Sequence, residues 1–119
     1  MTPLRIDIAV CTFRREALSD TLASLARLAV PEGVTVRVIV ADNDVTPSAR
    51  LRVEAARLPM AISYVHCPAG NISIARNACL GHADADFVAF VDDDETVEPQ
   101  WLARLLDEAQ TTEADAVLG

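Results

Sequence analysis

The chain has no lysine. Its ten basic residues are all arginine, set against eighteen acids, for a formal net charge of −8 over 119 residues. The missing ammonium removes every mechanism that needs one within this chain. A basic footprint for bulk nucleic-acid binding is missing as well, so no nucleic-acid partner is expected. A small anionic ligand is not excluded, because a metal ion or one arginine can reverse the local sign. Cysteine is scarce: Cys11, Cys67 and Cys79 are odd in number and show no CxxC spacing. They read as ordinary thiols of a reducing compartment. With His66 and His82 as the only histidines, the pattern argues against a zinc site. No apolar run approaches the roughly 18 residues that a membrane-spanning helix needs. Met1-Thr2-Pro3-Leu4-Arg5 lacks the charged-then-apolar pattern of a secretory signal. The expected location is cytoplasmic, with a peripheral position at the inner face of the membrane open to the full-length protein.

What is present is a globular composition, 51% hydrophobic and 24% charged, on a length that suits one domain with a real core. The most informative stretch is Phe87-Val88-Ala89-Phe90-Val91-Asp92-Asp93-Asp94-Glu95, five apolar residues followed at once by four acids. The apolar run reads as a strand buried on both faces. Adjacent carboxylates repel one another and make poor turn material unless water, a cation or a positive partner screens them. One reading is a solvated acidic turn. The other is a divalent-cation site at the carboxyl edge of an open α/β sheet, where such folds place their ligands.

Taken in order, Ile6 to Cys11 reads as a strand with a polar exit at Thr12-Phe13-Arg14-Arg15. Between Glu16 and Leu28, the residues Leu18, Leu22, Leu25 and Leu28 recur along one face of a helix. Val34 to Ala41 is β-rich and ends in Asp42-Asn43-Asp44. Thr46-Pro47 has the look of a helix cap with proline in the first turn, which predicts a helix over Arg50–Leu58 stopped by Pro59. Ala61 to Val65 is a short strand, Gly70-Asn71 a turn, and Ile74 to His82 a helix. After the acidic turn, Pro99 opens a helix through Trp101, Leu102, Leu105 and Leu106, and Ala114 to Leu118 begins one more strand. Strand and helix alternate with connections short enough for βαβ units. The fold class expected is α/β, a mostly parallel sheet with helices on both faces. A strand starting five residues before Gly119 suggests a truncated chain. An edge strand left open by truncation would offer a route to a homodimer.

In a parallel sheet the strand-to-helix loops share one edge. Thr12-Phe13-Arg14, Asp42-Asn43-Asp44, Asp92-Asp93-Asp94 and the segment Gly70 to Asn77 would then converge on one crevice. The carboxylates could hold a hard cation, Arg76 could face a base, ribose or phosphate, and Asp42 could accept from a ring N–H. Each has a plain structural reading too: Ser73 as a helix cap, Asp42 to Asp44 as an ordinary turn, Arg76 as a solvated helix residue.

Four stretches together resemble the N-terminal, nucleotide-binding half of family 2 glycosyltransferases, which have the Rossmann-like GT-A fold. They are Ala9 to Arg15, Val38 to Asp44, Gly70 to Ala78, and Phe90 to Glu95, the last resembling an Asp-x-Asp motif. The resemblance covers nearly the whole chain, residues 1–119, as a single donor-binding domain without the acceptor-binding half. It implies that Thr12, Phe13 and Arg14 border the nucleotide and that Asp42, beside Asn43, hydrogen-bonds the base, with a uracil or thymine N3–H as donor. Arg76 would approach base and ribose, Asp93 the ribose region, Asp94 would ligate Mg²⁺ or Mn²⁺, and Asp92 would support the site. The activity implied is transfer of a sugar from a nucleotide-diphosphate donor, a UDP-sugar, to a hydroxyl of a polysaccharide or lipid-linked glycan in a bacterial cell, with inversion. The sequence names no catalytic base. That group lies C-terminal in the family, so this chain alone is expected to bind a donor without turnover. The turn Asp42-Asn43-Asp44 departs from the family's commoner Asp followed by Gly or Asn and Ser.

Three other readings compete for the same residues. Asp92-Asp93-Asp94-Glu95-Thr96 fits the nucleophile motif of haloacid-dehalogenase-type phosphatases, but that chemistry wants a lysine and a motif on the first strand. A phosphoacceptor receiver domain falls for the same lack of lysine. A non-catalytic acidic α/β interaction module predicts no nucleotide binding.

Overall fold

The computed structural model describes residues 4–68, 86–112 and 117–118. Five strands form one sheet: β1 (Leu4–Thr12), β2 (Val34–Asp42), β3 (Ala61–His66), β4 (Phe87–Asp92) and β5 (Val117–Leu118). Among the described residues three helices accompany them: α1 (Leu18–Ala26), α2 (Arg50–Ala55) and α3 (Trp101–Thr112). The strand order is β3-β2-β1-β4-β5, and every neighbouring pair is parallel. The chain steps outward from β1 through β2 to β3, then returns to the other side of β1 for β4. The order therefore reverses between β1 and β4, which opens a crevice at their carboxyl ends. The register sets Thr12 beside Asp42 and Asp42 beside His66 in one row, with Asp92 beside Cys11.

Alternation along β1 and β2 explains the core. Ile6, Ile8, Val10, Val36, Val38 and Val40 face Leu18, Leu22 and Leu25 of α1, Val53 of α2, and Leu102 and Leu106 of α3 in one buried cluster. The opposite face carries a second apolar cluster, with Ala9, Ile39 and Ala41 fully buried. All three described helices contribute to the first cluster. The predicted helix Ile74 to His82, with Arg76 on it, lies outside the described residues.

Two expectations change. The strands buried on both faces are β1 and β2, where Ile8 to Val10 and Val38 to Ala41 are 0% exposed, whereas β4 keeps Phe87, Val88 and Phe90 half-buried. The central place belongs to β1, because two strands flank it on either side. The second helix is shorter than Arg50–Leu58. It ends at Ala55, with Ala56 already extended (φ −70°, ψ 135°), three residues before Pro59 could act. Thr46 does not cap it either. Ala49 is the residue before the first turn and uses no side-chain cap of its own.

Candidate functional site

Three strand exits meet at the carboxyl edge. The β1 exit turns sharply: Arg14 has φ 51°, a left-handed conformation that is uncommon outside glycine. This turn lets the Phe13 N–H donate to Asp93 Oδ2 at 3.2 Å. Arg15 Nε lies 3.6 Å from Asp93 Oδ1. The Asn43 N–H donates to the Thr12 carbonyl at 2.8 Å, tying the β2 exit to the same point. A cleft of about 170 Å³ results, lined by Cys11, Thr12, Phe13, Arg15, Asn43 and Asp93. It sits at the reversal of strand order. Thr12 is 2% exposed, and its hydroxyl is a buried polar atom without a hydrogen-bond partner. Such a group costs about 1–3 kcal/mol unless something satisfies it, and Thr12 is one of the residues that line the cleft. A larger groove, about 580 Å³ between α1 and α2, is lined mainly by alanine and leucine and brings no such group into it.

The two acidic turns differ. Asp42 is 0% exposed. Its Oδ1 accepts from the Asp44 N–H at 3.1 Å, and its Oδ2 from the Ala49 N–H at 2.9 Å and the Tyr64 hydroxyl at 2.6 Å. One carboxylate thus closes its own turn, serves the N–H at the start of α2, and anchors β3. Burial, and then the bond and charge of Asp42, push the Tyr64 phenol above its ordinary value. Asp44 Oδ2 accepts from Arg14 Nε at 2.8 Å and from the Thr46 hydroxyl at 3.4 Å. The Arg14 guanidinium, and after it the Ser48 hydroxyl, hold the Asp44 carboxyl well below the usual carboxylate range. The same bond raises Arg14. The Arg14 side chain is 62% exposed and lies over the Phe13 ring at 5.3 Å. The His66 ring meets the Asp44 carbonyl at 2.8 Å. A carbonyl only accepts, so Nε2 is the protonated nitrogen.

After β4, Asp92, Asp94 and Glu95 are exposed, and only Asp93 is half-buried. The Glu95 N–H donates to the Asp92 carbonyl at 3.1 Å, closing a tight turn. A hydrogen bond to Asp92, then burial, then the Asp92 charge lift the Glu95 carboxyl above the usual range. Two carboxyls this close cannot both ionise freely. The backbone of this turn is fastened to α1. Thr21 Oγ1 lies 2.6 Å from the Glu95 carbonyl and 3.2 Å from that of Asp93, and Ser24 Oγ accepts from the Val97 N–H at 3.1 Å.

The expected site residues Thr12, Phe13, Asn43 and Asp93 therefore share one cleft. Asp92 and Asp94 stand on the turn beside it. Arg14 pairs with Asp44 one loop over, and Arg76 lies outside the described residues. Asp42 stands in the same row, but its carboxylate is enclosed by three internal donors, so its structural role is what the geometry displays. Tyr64, Thr21 and Ser24 are not among the residues to which the sequence points. Two small hydroxyls on the leucine stripe of α1 were the available signal for the last pair.

A parallel sheet with its strand reversal, cleft and acidic exits together at one edge is the arrangement of the GT-A fold. The chain belongs to Glycosyl transferase family 2, whose profile matches residues 7–119. It is 61% identical over 118 residues to the succinoglycan biosynthesis protein ExoM of Rhizobium meliloti (strain 1021), covering 98% of this chain and 38% of that protein. It is 28% identical over 107 residues to a glucosyl-dolichyl phosphate glucuronosyltransferase of Haloferax volcanii, covering 87% of this chain and 34% of that protein. Among solved structures, S. aureus TarS 1–349 in complex with UDP-GlcNAc superposes with a TM-score of 0.78 at 24% identity, over 92% of this chain and 32% of that one. That likeness shows the fold. The chain spans 32% to 38% of the length of these proteins.

Proposed function

We propose that this chain is the donor-binding part of an inverting glycosyltransferase. It would take a nucleotide-diphosphate sugar, a UDP-sugar, and the full-length protein would transfer the sugar to a hydroxyl of a polysaccharide or lipid-linked glycan. The observation that carries this reading is the cleft at the β1/β4 reversal. There the unpartnered Thr12 hydroxyl, Phe13, Asn43 and Asp93 meet beside the exposed acids of the β4 turn. The succinoglycan relative supports a polysaccharide product, and the UDP-GlcNAc complex of TarS supports the donor class.

The acids fit a cation in one particular way. Among the described residues no three His, Cys, Asp or Glu side chains cluster to enclose a metal. An exposed Asp94 on a tight turn suits Mg²⁺ or Mn²⁺, which take one or two protein carboxylates and complete their shell with water and substrate oxygens. Asp94 would be the protein ligand, and Asp92 its support. When bound, the cation offsets the negative charge that grows on the departing diphosphate. The rest falls to the chain. Thr12 and Asn43 would hold the nucleoside, and Phe13 with the Arg14 guanidinium would wall the cleft. Asp93, fixed by the Phe13 N–H and Arg15, would meet the ribose. The base contact proposed for Asp42 requires one of its internal donors to give way, and Arg76 would face base and ribose. On this reading the acceptor and the catalytic base would be met in the part of the relatives' length that this chain does not span.

Among the described residues no helix is long and apolar enough to cross a membrane. A cytoplasmic position, peripheral at the membrane's inner face where lipid-linked acceptors are met, completes the proposal. A homodimer through an open edge strand of the sheet is part of the same reading.

The test is calorimetric titration with UDP in Mn²⁺ and again in EDTA, repeated with GDP and dTDP. Metal-dependent UDP binding supports the proposal. An acidic interaction module predicts no heat with any nucleotide in either condition.

A further inference from the structure

We infer that Thr21 and Ser24 of α1 are positioning residues for the acidic turn after β4, holding its backbone in the shape that presents Asp94. Thr21 is 0% exposed and Ser24 5%, both on the leucine stripe that faces the sheet. Threonine and serine are poorer helix formers than leucine or alanine, and a buried hydroxyl is costly unless it is bonded. Their presence on this stripe needs a partner.

Local partners exist but do not account for the geometry. Thr21 Oγ1 lies 3.3 Å from the Ala17 carbonyl one turn back, yet 2.6 Å from the Glu95 carbonyl, 74 residues away. A hydroxyl has one proton, and the shorter contact takes it. Ser24 Oγ donates to the Thr21 carbonyl at 2.7 Å, which leaves its lone pairs to accept from the Val97 N–H at 3.1 Å. Beyond the end of α1, the Ala29 N–H donates to the Pro99 carbonyl at 2.9 Å. The loop over residues 93–99 is thus stitched by its backbone to α1 at Thr21 and Ser24, and to the segment after α1 at Ala29. Its acid side chains do none of this stitching and stay exposed apart from Asp93. Without the stitches, repulsion among Asp92, Asp94 and Glu95 would favour a splayed turn. With them, the turn is preorganised before any cation arrives, which lowers the ordering cost of binding.

This inference rests on the donor-site reading above, and its test separates the two. In the full-length protein, UDP affinity is measured by calorimetry with Mn²⁺ and with EDTA for wild type, Thr21→Val, Thr21→Ser and Ser24→Ala. Valine keeps the shape and drops the donor, serine restores the donor, and alanine is a better helix former than serine. The expected result is a loss of about tenfold in Mn²⁺-dependent UDP affinity for Thr21→Val, the order of effect seen when the outer support of a metal ligand is removed. Ser24→Ala should lose about threefold, and Thr21→Ser should bind as wild type. Metal-free affinity should be unchanged throughout, which a merely structural defect would not achieve. Wild-type metal-dependent binding matched by both Thr21→Val and Ser24→Ala overturns the positioning role while leaving the donor site standing. Equal losses with and without metal also overturn it. A wild type that binds no UDP with Mn²⁺ overturns the donor site, and the positioning role with it.

Discussion

Two acidic turns leave the same edge of the sheet, one after β2 and one after β4, and their carboxylates face opposite surroundings. At Asp42-Asn43-Asp44 the acids turn inward and are 1% exposed or less. Backbone N–H groups, Tyr64 and Arg14 surround them. At Asp92-Asp93-Asp94-Glu95 it is the backbone carbonyls that turn inward, to Thr21, while three of four acids stay exposed. The first arrangement spends most of its charge on structure, leaving the buried Asp44 Oδ1 without a hydrogen-bond donor. A carboxylate already accepting from two N–H groups and a phenol has little left for a ligand. The second keeps the charge of the exposed Asp94 uncommitted beside the crevice, where a cation could share it. An acid at the end of a strand is therefore not by itself a site. What its oxygens already accept decides the matter.

The contrast can be broken from either side, and the largest effect should come from the inward turn. Asp42→Ala would leave two N–H groups and the Tyr64 hydroxyl without an acceptor, a loss on the order of 4 kcal/mol in urea unfolding. Tyr64→Phe removes one of those bonds, to a charged acceptor, and should cost about 2 kcal/mol. The raised Tyr64 phenol adds a pH signature. The folded state keeps its proton where the unfolded chain releases it, so this contribution is complete below about pH 10 and is lost as pH rises further. Tyr64→Phe should therefore flatten the alkaline limb of a stability curve.

On the outward turn, Asp94→Ala should weaken metal-dependent UDP binding by at least about tenfold, or roughly 1.4 kcal/mol. Its unfolding midpoint should stay near that of wild type, because an exposed residue outside the core seldom moves stability by more than about 0.5 kcal/mol. The smallest effect belongs to Asp44. Its lowered carboxyl contributes stability above about pH 4, lost as pH falls through the folded value. Arg14 is largely exposed, so solvent screens the pair. Asp44→Asn should flatten the acid limb of the stability curve only slightly.

The strand and helix order was legible because apolar runs and a leucine stripe at helical spacing are local signals. The convergence of Thr12, Phe13, Asn43 and Asp93 followed from the rule that parallel strands present their exits together. What sequence did not reveal rests on contacts between distant residues. Nothing near Asp42 announces that Tyr64, 22 residues on, will close over it. The bonds of Thr21 and Ser24 to the acidic loop span more than 70 residues. The early end of α2 at Ala55 carries no breaker of its own, since Pro59 constrains only the residue before it. The Thr46-Pro47 signal was genuine turn chemistry put to another use, with Thr46 serving the Asp44 carboxylate.

The central claim is that the β4 turn holds a cation jointly with the nucleotide while the β2 turn does not. It is tested most directly by following the electron paramagnetic resonance signal of free Mn²⁺ as protein is added, with and without UDP. The account predicts that wild-type protein depletes the signal only when UDP is present, that Asp94→Ala leaves it undepleted, and that Asp44→Asn depletes it as wild type does. Equal depletion by Asp94→Ala and wild type, or depletion that vanishes in Asp44→Asn, would contradict it.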